Sequence, residues 1–293
     1  MRNQSRAYLY ALITVLFWST VATAFKIALR DLNTIQLLFI ANLTSLIVFL
    51  IMLGYQRKLF FLKELTLKEL SLSALQGLLN PFAYYLIIFK TYSILPAQIA
   101  QPANFIWPIV LMLLSVPLLK QPLRVTGIIA LLISFAGVFI LGTQGRPGSF
   151  KIAEPVGITL ALFSSLIWAF FWIFNLKDKR DDLVKLFMSF AFSMVFVSIL
   201  ALCTGNLSHL LPKPLLPAVY IGLFEMGFSF VLWLKALQYS ESTGKVAILI
   251  YLTPFLSLLF IHLVLHERLL YTSVIGLCLI IGGILVGRIK NVS

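Results

Sequence analysis

The residue best placed to do chemistry is Glu225, an acidic side chain near the middle of a long apolar run. A charge at the centre of a membrane-spanning helix costs about 2.5–3.5 kcal/mol on insertion scales, so such a residue usually faces a cavity or a partner. A carboxyl in that position can bind an ammonium group or a coupling proton. A structural carboxyl that is hydrogen-bonded to a neighbouring helix is the alternative.

Amide and hydroxyl side chains form two further stripes in apolar runs. Gln76, Asn80 and Tyr84 are spaced four residues apart, which places them on one face of a helix. Pro81 interrupts the backbone hydrogen bonds beside them. The second stripe consists of Gln98, Gln101, Asn104, Phe105 and Pro108. Such faces are expected to border a cavity in which freed backbone groups find partners, with hydrogen bonds between helices as the alternative.

Several aromatic residues lie well inside apolar runs, whereas aromatic side chains at a membrane usually mark the ends. They are Trp107, Trp168, Trp172 and Tyr251. These rings could form walls for an apolar or aromatic solute, although ordinary packing explains any one of them equally well. Phe228, which follows Glu225 on the same segment, is a candidate for the same site. Lys26 and Glu267 lie near segment ends and are expected to be gate residues.

The composition identifies the environment of these residues. Hydrophobic residues make up 60% of the chain and charged residues 11%, whereas soluble domains have about 45–50% and 25%. A soluble fold is therefore excluded. The net charge of +13 is spread between apolar runs, so membrane lipid rather than nucleic acid is the expected partner. Cys203 and Cys278 lack metal-like spacing, and neither a cofactor, a metal nor an enzymatic activity is expected.

Ten apolar segments are long enough to cross a membrane as helices, which requires about 20 residues each. They cover about 7–29, 35–53, 70–90, 94–119, 124–142, 155–176, 183–203, 215–237, 243–266 and 270–288. If the N-terminus is cytoplasmic, most of the 23 basic residues fall on the inside, so both termini are predicted to be cytoplasmic. The predicted fold class is all-α, a polytopic membrane protein with ten transmembrane helices.

The chain repeats itself once, at a separation of 145–150 residues. Residues 16–18 correspond to 166–168, and residues 104–108 correspond to 250–254. Because five helices are an odd number, the second copy enters from the opposite face, and the basic residues of corresponding loops reverse accordingly. The predicted units are a first five-helix repeat (1–142), an external linker (143–154) and an inverted second repeat (155–293). Chance similarity among apolar helices is the alternative.

The repeat assigns counterparts to individual residues. Asn80 corresponds to Glu225, which predicts that both lie near the midplane and face a shared space. Gly283 and Gly287 are four residues apart in the last segment, as in close helix packing or a homodimer contact.

Four stretches of the chain carry a family resemblance: 104–108, 166–169, 251–254 and 265–269. They resemble EamA-type members of the drug/metabolite transporter superfamily, and the first three are similar to stretches of its bacterial aromatic amino acid exporters. The resemblance implies a central cavity surrounded by helices 1, 3, 4, 6, 8 and 9. It assigns Asn104, Trp107, Trp168 and Tyr251 to that cavity. One departure is that Gln121 stands where the second repeat has the family's Glu267.

The resemblance and the polar residues together predict a secondary transporter of the prokaryotic inner membrane. It would export amino acids, aromatic ones included, or related small metabolites by alternating access. In this hypothesis Asn80, Gln101 and Asn104 hold polar groups of the solute, and Glu225 binds an ammonium group or a coupling proton. The alternatives are another solute, such as a nucleoside, a sulfonium metabolite or a drug-like cation, a passive facilitator, and a membrane enzyme or scaffold.

Overall fold

A computed structural model describes residues 3–119, 125–144, 153–206, 215–240 and 249–288, which form helices and connecting turns without any strand. The α-helices are α1 Gln4–Ala28, α2 Thr34–Tyr55, α3 Leu67–Gly77, α4 Tyr84–Ile94, α5 Ala97–Asn104, α6 Trp107–Leu119, α7 Val125–Gly142, α8 Pro155–Lys177, α9 Asp182–Cys203, α10 Leu216–Tyr220, α11 Ser229–Tyr239, α12 Leu252–Leu265 and α13 Tyr271–Arg288. Short 3₁₀ turns cover Leu59–Lys63 and Leu249–Tyr251.

Eight helical stretches of the described chain are long and apolar enough to cross a membrane. They are α1, α2, α3 with α4, α5 with α6, α7, α8, α9, and α10 with α11. Two shorter apolar helices, Leu249–Leu265 and Tyr271–Val286, coincide with the ninth and tenth predicted segments. The all-helical membrane fold is therefore confirmed, and the number of ten crossings stays a prediction.

Side-chain caps begin several of the helices. The Asn33 side chain accepts hydrogen bonds from the backbone at the start of α2, and the Gln36 side-chain oxygen accepts one from the Asn33 backbone N–H. Thr66 and Glu69 form the same reciprocal pair at the start of α3. Each pair satisfies N–H groups that a helix leaves unpaired in its first turn. These polar caps therefore determine where the apolar segments begin.

Two π-helical stretches interrupt the third and eighth predicted segments, at Leu78–Ala83 and Ile221–Phe228. Asn80, with extended dihedral angles (φ −148°, ψ 124°), lies inside the first stretch, and Glu225 lies inside the second. A π-helical turn contains more residues than an α-helical turn and often marks a functional position. Both polar residues singled out by the sequence thus lie where the regular helix is broken.

The helices α1 and α8 each pack against several others. α1 contacts α10, α11 and α12, and α8 contacts α4, α5 and α6. α2 packs against α9, and α7 packs along most of α13. Small residues permit the last contact, since Gly137 meets the backbone of Gly276 and Gly283 meets the backbone of Ala130. Gly283 therefore serves packing within the chain, and a homodimer stays a prediction.

Candidate functional site

A cavity of about 80 Å³ lies between α1, α8 and the helices packed against them. Its lining residues are Trp18, Val21, Ala22, Phe25, Tyr84, Ile88, Tyr92, Gln101, Asn104, Phe105, Trp107, Trp168, Trp172, Glu225, Trp233, Ile250 and Thr253. All 5 tryptophans of the chain are among them. Tryptophan in membrane proteins is normally enriched at the two lipid–water interfaces. Their convergence on one interior cavity therefore marks that cavity as the candidate site.

Glu225 provides the carboxyl of this cavity. It is 7% exposed, and its Oε1 atom accepts a hydrogen bond of 3.0 Å from the hydroxyl of Tyr85. Its Oε2 atom is buried and has no hydrogen-bond partner in the described structure. The indole Nε1 of Trp18 donates to the main-chain oxygen of Glu225 at 3.4 Å, which places that ring beside the carboxyl. One carboxylate oxygen is thus held in position and the other is open to a ligand.

Amide groups form a second polar patch of the cavity. The Asn104 Oδ1 atom accepts a hydrogen bond from the Tyr84 hydroxyl at 3.2 Å, and its Nδ2 atom donates to Ser164 at 2.8 Å. Asn104 thereby joins three separate helices and is fixed in orientation. Gln101, one turn earlier, has a buried Oε1 atom without a partner in the described structure. A buried acceptor left unpaired is costly, so Gln101 is available to a ligand.

Aromatic rings form the remaining walls. Trp168 stands at their centre, with ring centroids 4.6 Å from Tyr84, 6.0 Å from Trp172 and 5.8 Å from Phe230. Trp18 lies 5.8 Å from Trp233 on another side. These separations are within the range of favourable aromatic contacts. The walls can therefore accept a planar or apolar group by stacking.

The structure brings seven of the candidate residues to the cavity: Tyr84, Gln101, Asn104, Trp107, Trp168, Trp172 and Glu225. Tyr251 lies behind the wall, with its ring 6.2 Å from that of Phe105. Asn80 is fully buried but does not line the cavity, and its two side-chain polar atoms have no partner in the described structure. Phe228 is 38% exposed, its ring is tilted against that of Phe224 at 6.2 Å, and it does not line the cavity.

Sequence reasoning missed several lining residues, chief among them Trp18, Trp233 and Tyr92. It also missed Tyr85, the donor to Glu225. Trp18 could have been found, because it occupies the repeat position of Trp168. Tyr85 and Trp233 carry no such signal, since their roles depend on how neighbouring helices are rotated.

One end of the bundle is closed around the two predicted gate residues. The Lys26 ammonium donates to the carbonyl oxygens of Tyr92 and Leu95, at 2.9 and 3.0 Å. Glu267 accepts from the backbone N–H groups of Ala97 and Gln98, at 3.1 and 3.4 Å. Because Pro96 supplies no side-chain cap, the Glu267 carboxylate from the second half takes over that role for α5. Lys26 and Glu267 therefore fasten helix ends rather than contact the cavity.

The opposite end carries a cluster of charged residues between the halves. Arg180 forms a 2.6 Å ion pair with Asp178 and donates at 2.8 Å to Ser73 on α3. Lys58 pairs with Asp181 at 2.6 Å. Burial alone would raise the pKa of Asp178, but hydrogen bonds and charge from Arg180 hold that pKa below its usual value. At this end the Lys58–Asp181 ion pair and the Arg180–Ser73 hydrogen bond thus join the first and second halves.

The bundle of apolar helices around an interior aromatic cavity defines a multi-pass membrane transporter. Comparison with known families agrees, because the model of the EamA-like transporter family matches residues 5–143 and 155–287. The chain belongs to the EamA-like transporter family. The resemblance inferred from the sequence motifs is therefore confirmed.

Relatives of the chain are bacterial and archaeal. An uncharacterized transporter of Archaeoglobus fulgidus is 24% identical over 98% of this chain and 99% of its own length. The aromatic amino acid exporter YddG of Ancylobacter novellus is 24% identical over 71% of this chain and 72% of its own length. A solved crystal structure matches with a TM-score of 0.60 and 22% identity over 98% of this chain and 97% of that chain. At this sequence identity, the match to the solved structure shows a shared fold only.

Proposed function

We propose that this chain is a secondary transporter that exports small metabolites with an apolar or aromatic body and an amine group, amino acids among them. The observation that carries the proposal is the convergence of all 5 tryptophans and one open carboxylate oxygen on a single cavity. Aromatic walls suit the body of such a solute, whereas Glu225 suits its ammonium group or a coupling proton. The name of the relative YddG points to the same class of solute.

We also propose that the two halves are inverted repeats, an architecture that many alternating-access transporters share. The family model matches the chain twice, at 5–143 and at 155–287, close to the predicted units. Exchange of the halves relates α1 to α8, α3 with α4 to α10 with α11, and α5 with α6 to α12. The contacts follow this exchange, since α1 packs on α11 and α12 as α8 packs on α4 and α6.

Residue contacts support the repeat in finer detail. Gly77 lies against the backbone of Ser189 on α9, and Gly222 lies against the backbone of Ala41 on α2. The two glycines are repeat counterparts, as are their two partners. A pseudo-twofold axis converts one contact into the other. These matched contacts support the repeat over chance similarity among apolar sequences.

Alternating access requires that the two ends open in turn. The cavity volume of about 80 Å³ is well below the 300–1,000 Å³ typical of small-molecule sites. A solute can therefore enter only when helices separate at one end. The Glu267 cap and the Lys58–Asp181 pair join the first and second halves at opposite ends. Breaking one set of contacts while keeping the other would expose the cavity to one side at a time.

We further propose that the chain lies in the prokaryotic inner membrane, crosses it ten times and has both termini in the cytoplasm. The bacterial and archaeal relatives support the cell membrane. The distribution of Lys and Arg between loops supports the orientation. Labelling of single cysteines introduced at the termini and in the 143–154 linker of intact cells tests it.

Transport by proteoliposomes tests the function. We expect saturable flux and counterflow of at least one amino acid or amine from a metabolite panel, and a reduction of about tenfold or more in Glu225→Gln. Glu154→Gln is the matched control, because Glu154 is exposed and its side chain does not cap α8. Flux without saturation or counterflow would identify a passive facilitator. Absence of flux for the whole panel would refute transport of this class.

A further inference from the structure

We propose that the cavity selects an organic cation, a solute with one protonated amine group on an aromatic body, over a zwitterion or an anion. This inference rests on the proposed transport function and narrows the substrate class within it. The charge, the open hydrogen-bond acceptors and the rings of the cavity each support the same choice.

The charge of the lining is the first observation. Glu225 is the single acidic residue among the cavity-lining residues of the described chain, which include no Lys, Arg or His. The Lys26 ammonium belongs to a neighbouring pocket and is held by the carbonyls of Tyr92 and Leu95. A carboxylate taken from water into this cavity would find no cationic partner, and burying an unpaired charge is strongly unfavourable. An ammonium group would find Glu225.

The open acceptors are the second observation. Glu225 Oε2 and Gln101 Oε1 are both buried without a partner in the described structure. Tyr85 already occupies the other oxygen of Glu225, so the carboxylate has one oxygen to offer. The N–H groups of an ammonium are donors and match acceptors of this kind, whereas a solute carboxylate offers only acceptors.

The rings are the third observation. Trp is the side chain whose face attracts a cation most strongly, at distances within about 6 Å of the ring centroid. Trp18 is fixed beside Glu225 by its hydrogen bond to the main-chain oxygen of that residue, and Trp233 lies 5.8 Å from Trp18. A cation at Glu225 therefore has indole rings in the same cavity, whose faces attract cations and repel anions.

A set of three ligands with the same ring tests this selection: phenethylamine, phenylalanine and phenylpropanoate. At neutral pH these ligands are a cation, a zwitterion and an anion, respectively. Binding to the purified full-length protein is measured by tryptophan fluorescence, since every tryptophan lines the cavity. Competition in proteoliposome counterflow provides the second readout. We expect phenethylamine to bind about tenfold or more tightly than phenylalanine, and phenylpropanoate to bind weakest.

Two variants test whether the Glu225 side chain causes the preference for a cation. Glu225→Gln should remove the preference for phenethylamine, whereas the control Glu154→Gln should retain it. The comparison of three ligands on the unmodified protein needs no variant, so it decides the proposal even if Glu225→Gln fails to fold. Equal or tighter binding of phenylalanine overturns the cation assignment and leaves transport intact. Binding of none of the three ligands, with flux of an unrelated solute, overturns it as well. Absence of flux for every solute refutes the proposed function itself.

Discussion

Alanine substitution of two adjacent glycines in α13 should have opposite effects on stability. A methyl group at Gly283 would lie 2.7 Å from the carbonyl oxygen of Ala130 and closer still to the hydroxyl of Ser134. That is about 0.7 Å short of the 3.4 Å at which ordinary van der Waals contact begins. At Gly282 nothing lies within 4 Å of the added methyl. The two variants add the same group to the same helix and differ only in what it meets.

The expected magnitudes follow from these distances. Since the obstruction at Gly283 is backbone, α13 must shift away from α7, and overpacking of this kind costs about 1–3 kcal/mol. At Gly282 the replacement removes the glycine penalty in a helix, a gain of about 0.5–1 kcal/mol. The free energies of unfolding of the two variants should therefore differ by about 1.5–4 kcal/mol. Gly137→Ala, the counterpart of Gly283→Ala in the proposed repeat, should be destabilising as well, because its methyl would meet the Gly276 carbonyl at 2.7 Å.

Equilibrium unfolding in mixed micelles measures the differences, with thermal melting in detergent as a second readout. Equal stability of Gly282→Ala and Gly283→Ala would show that α7 and α13 are not packed as described. A loss in Gly283→Ala without a loss in Gly137→Ala would count against the pseudo-twofold relation between these helices.

Three further predictions concern the two ends of the bundle. Glu267→Gln should destabilise the protein by about 0.5–2 kcal/mol and lower flux, because α5 loses its charged cap; unchanged melting and flux would contradict the cap. Arg180→Lys should cost about 1.5–3 kcal/mol in unfolding experiments, since an ammonium lacks the planar guanidinium fork that binds Asp178 through Nε and Nη2 and Ser73 through Nη1. Exposed Lys179→Arg is the control and should be neutral. Asp178 has a lowered pKa in the folded state, so its stabilisation is complete above the unfolded value of about 3.9 and is lost as pH falls below it. Asp178→Asn should remove that part of the acid sensitivity of melting, and an unchanged acid profile would contradict it.

The candidate residues differ in how far the sequence alone predicts their place. The sequence points to Glu225 because one carboxyl in an apolar run is costly wherever the helix lies. Asn104 and Trp168 were identified from polar spacing, interior position and family resemblance, and both line the cavity. Phe228 was assigned to the same site from its position in the chain. The π-helical stretch that contains it takes more residues per turn, so Phe228 turns away from Glu225 toward the outside.

The sequence by itself determined the membrane setting, the helical class and the family, because these depend on the lengths of apolar runs and on local motifs. It also marked the glutamate around which the site is built. Only the tertiary structure decided which rings and hydroxyls surround that glutamate, as with Tyr85 and Trp233. The physical reason is that neighbours in a helical bundle are selected by the rotation and crossing of helices distant in sequence. A π-helical turn or a glycine contact changes that rotation without any change in hydrophobic pattern.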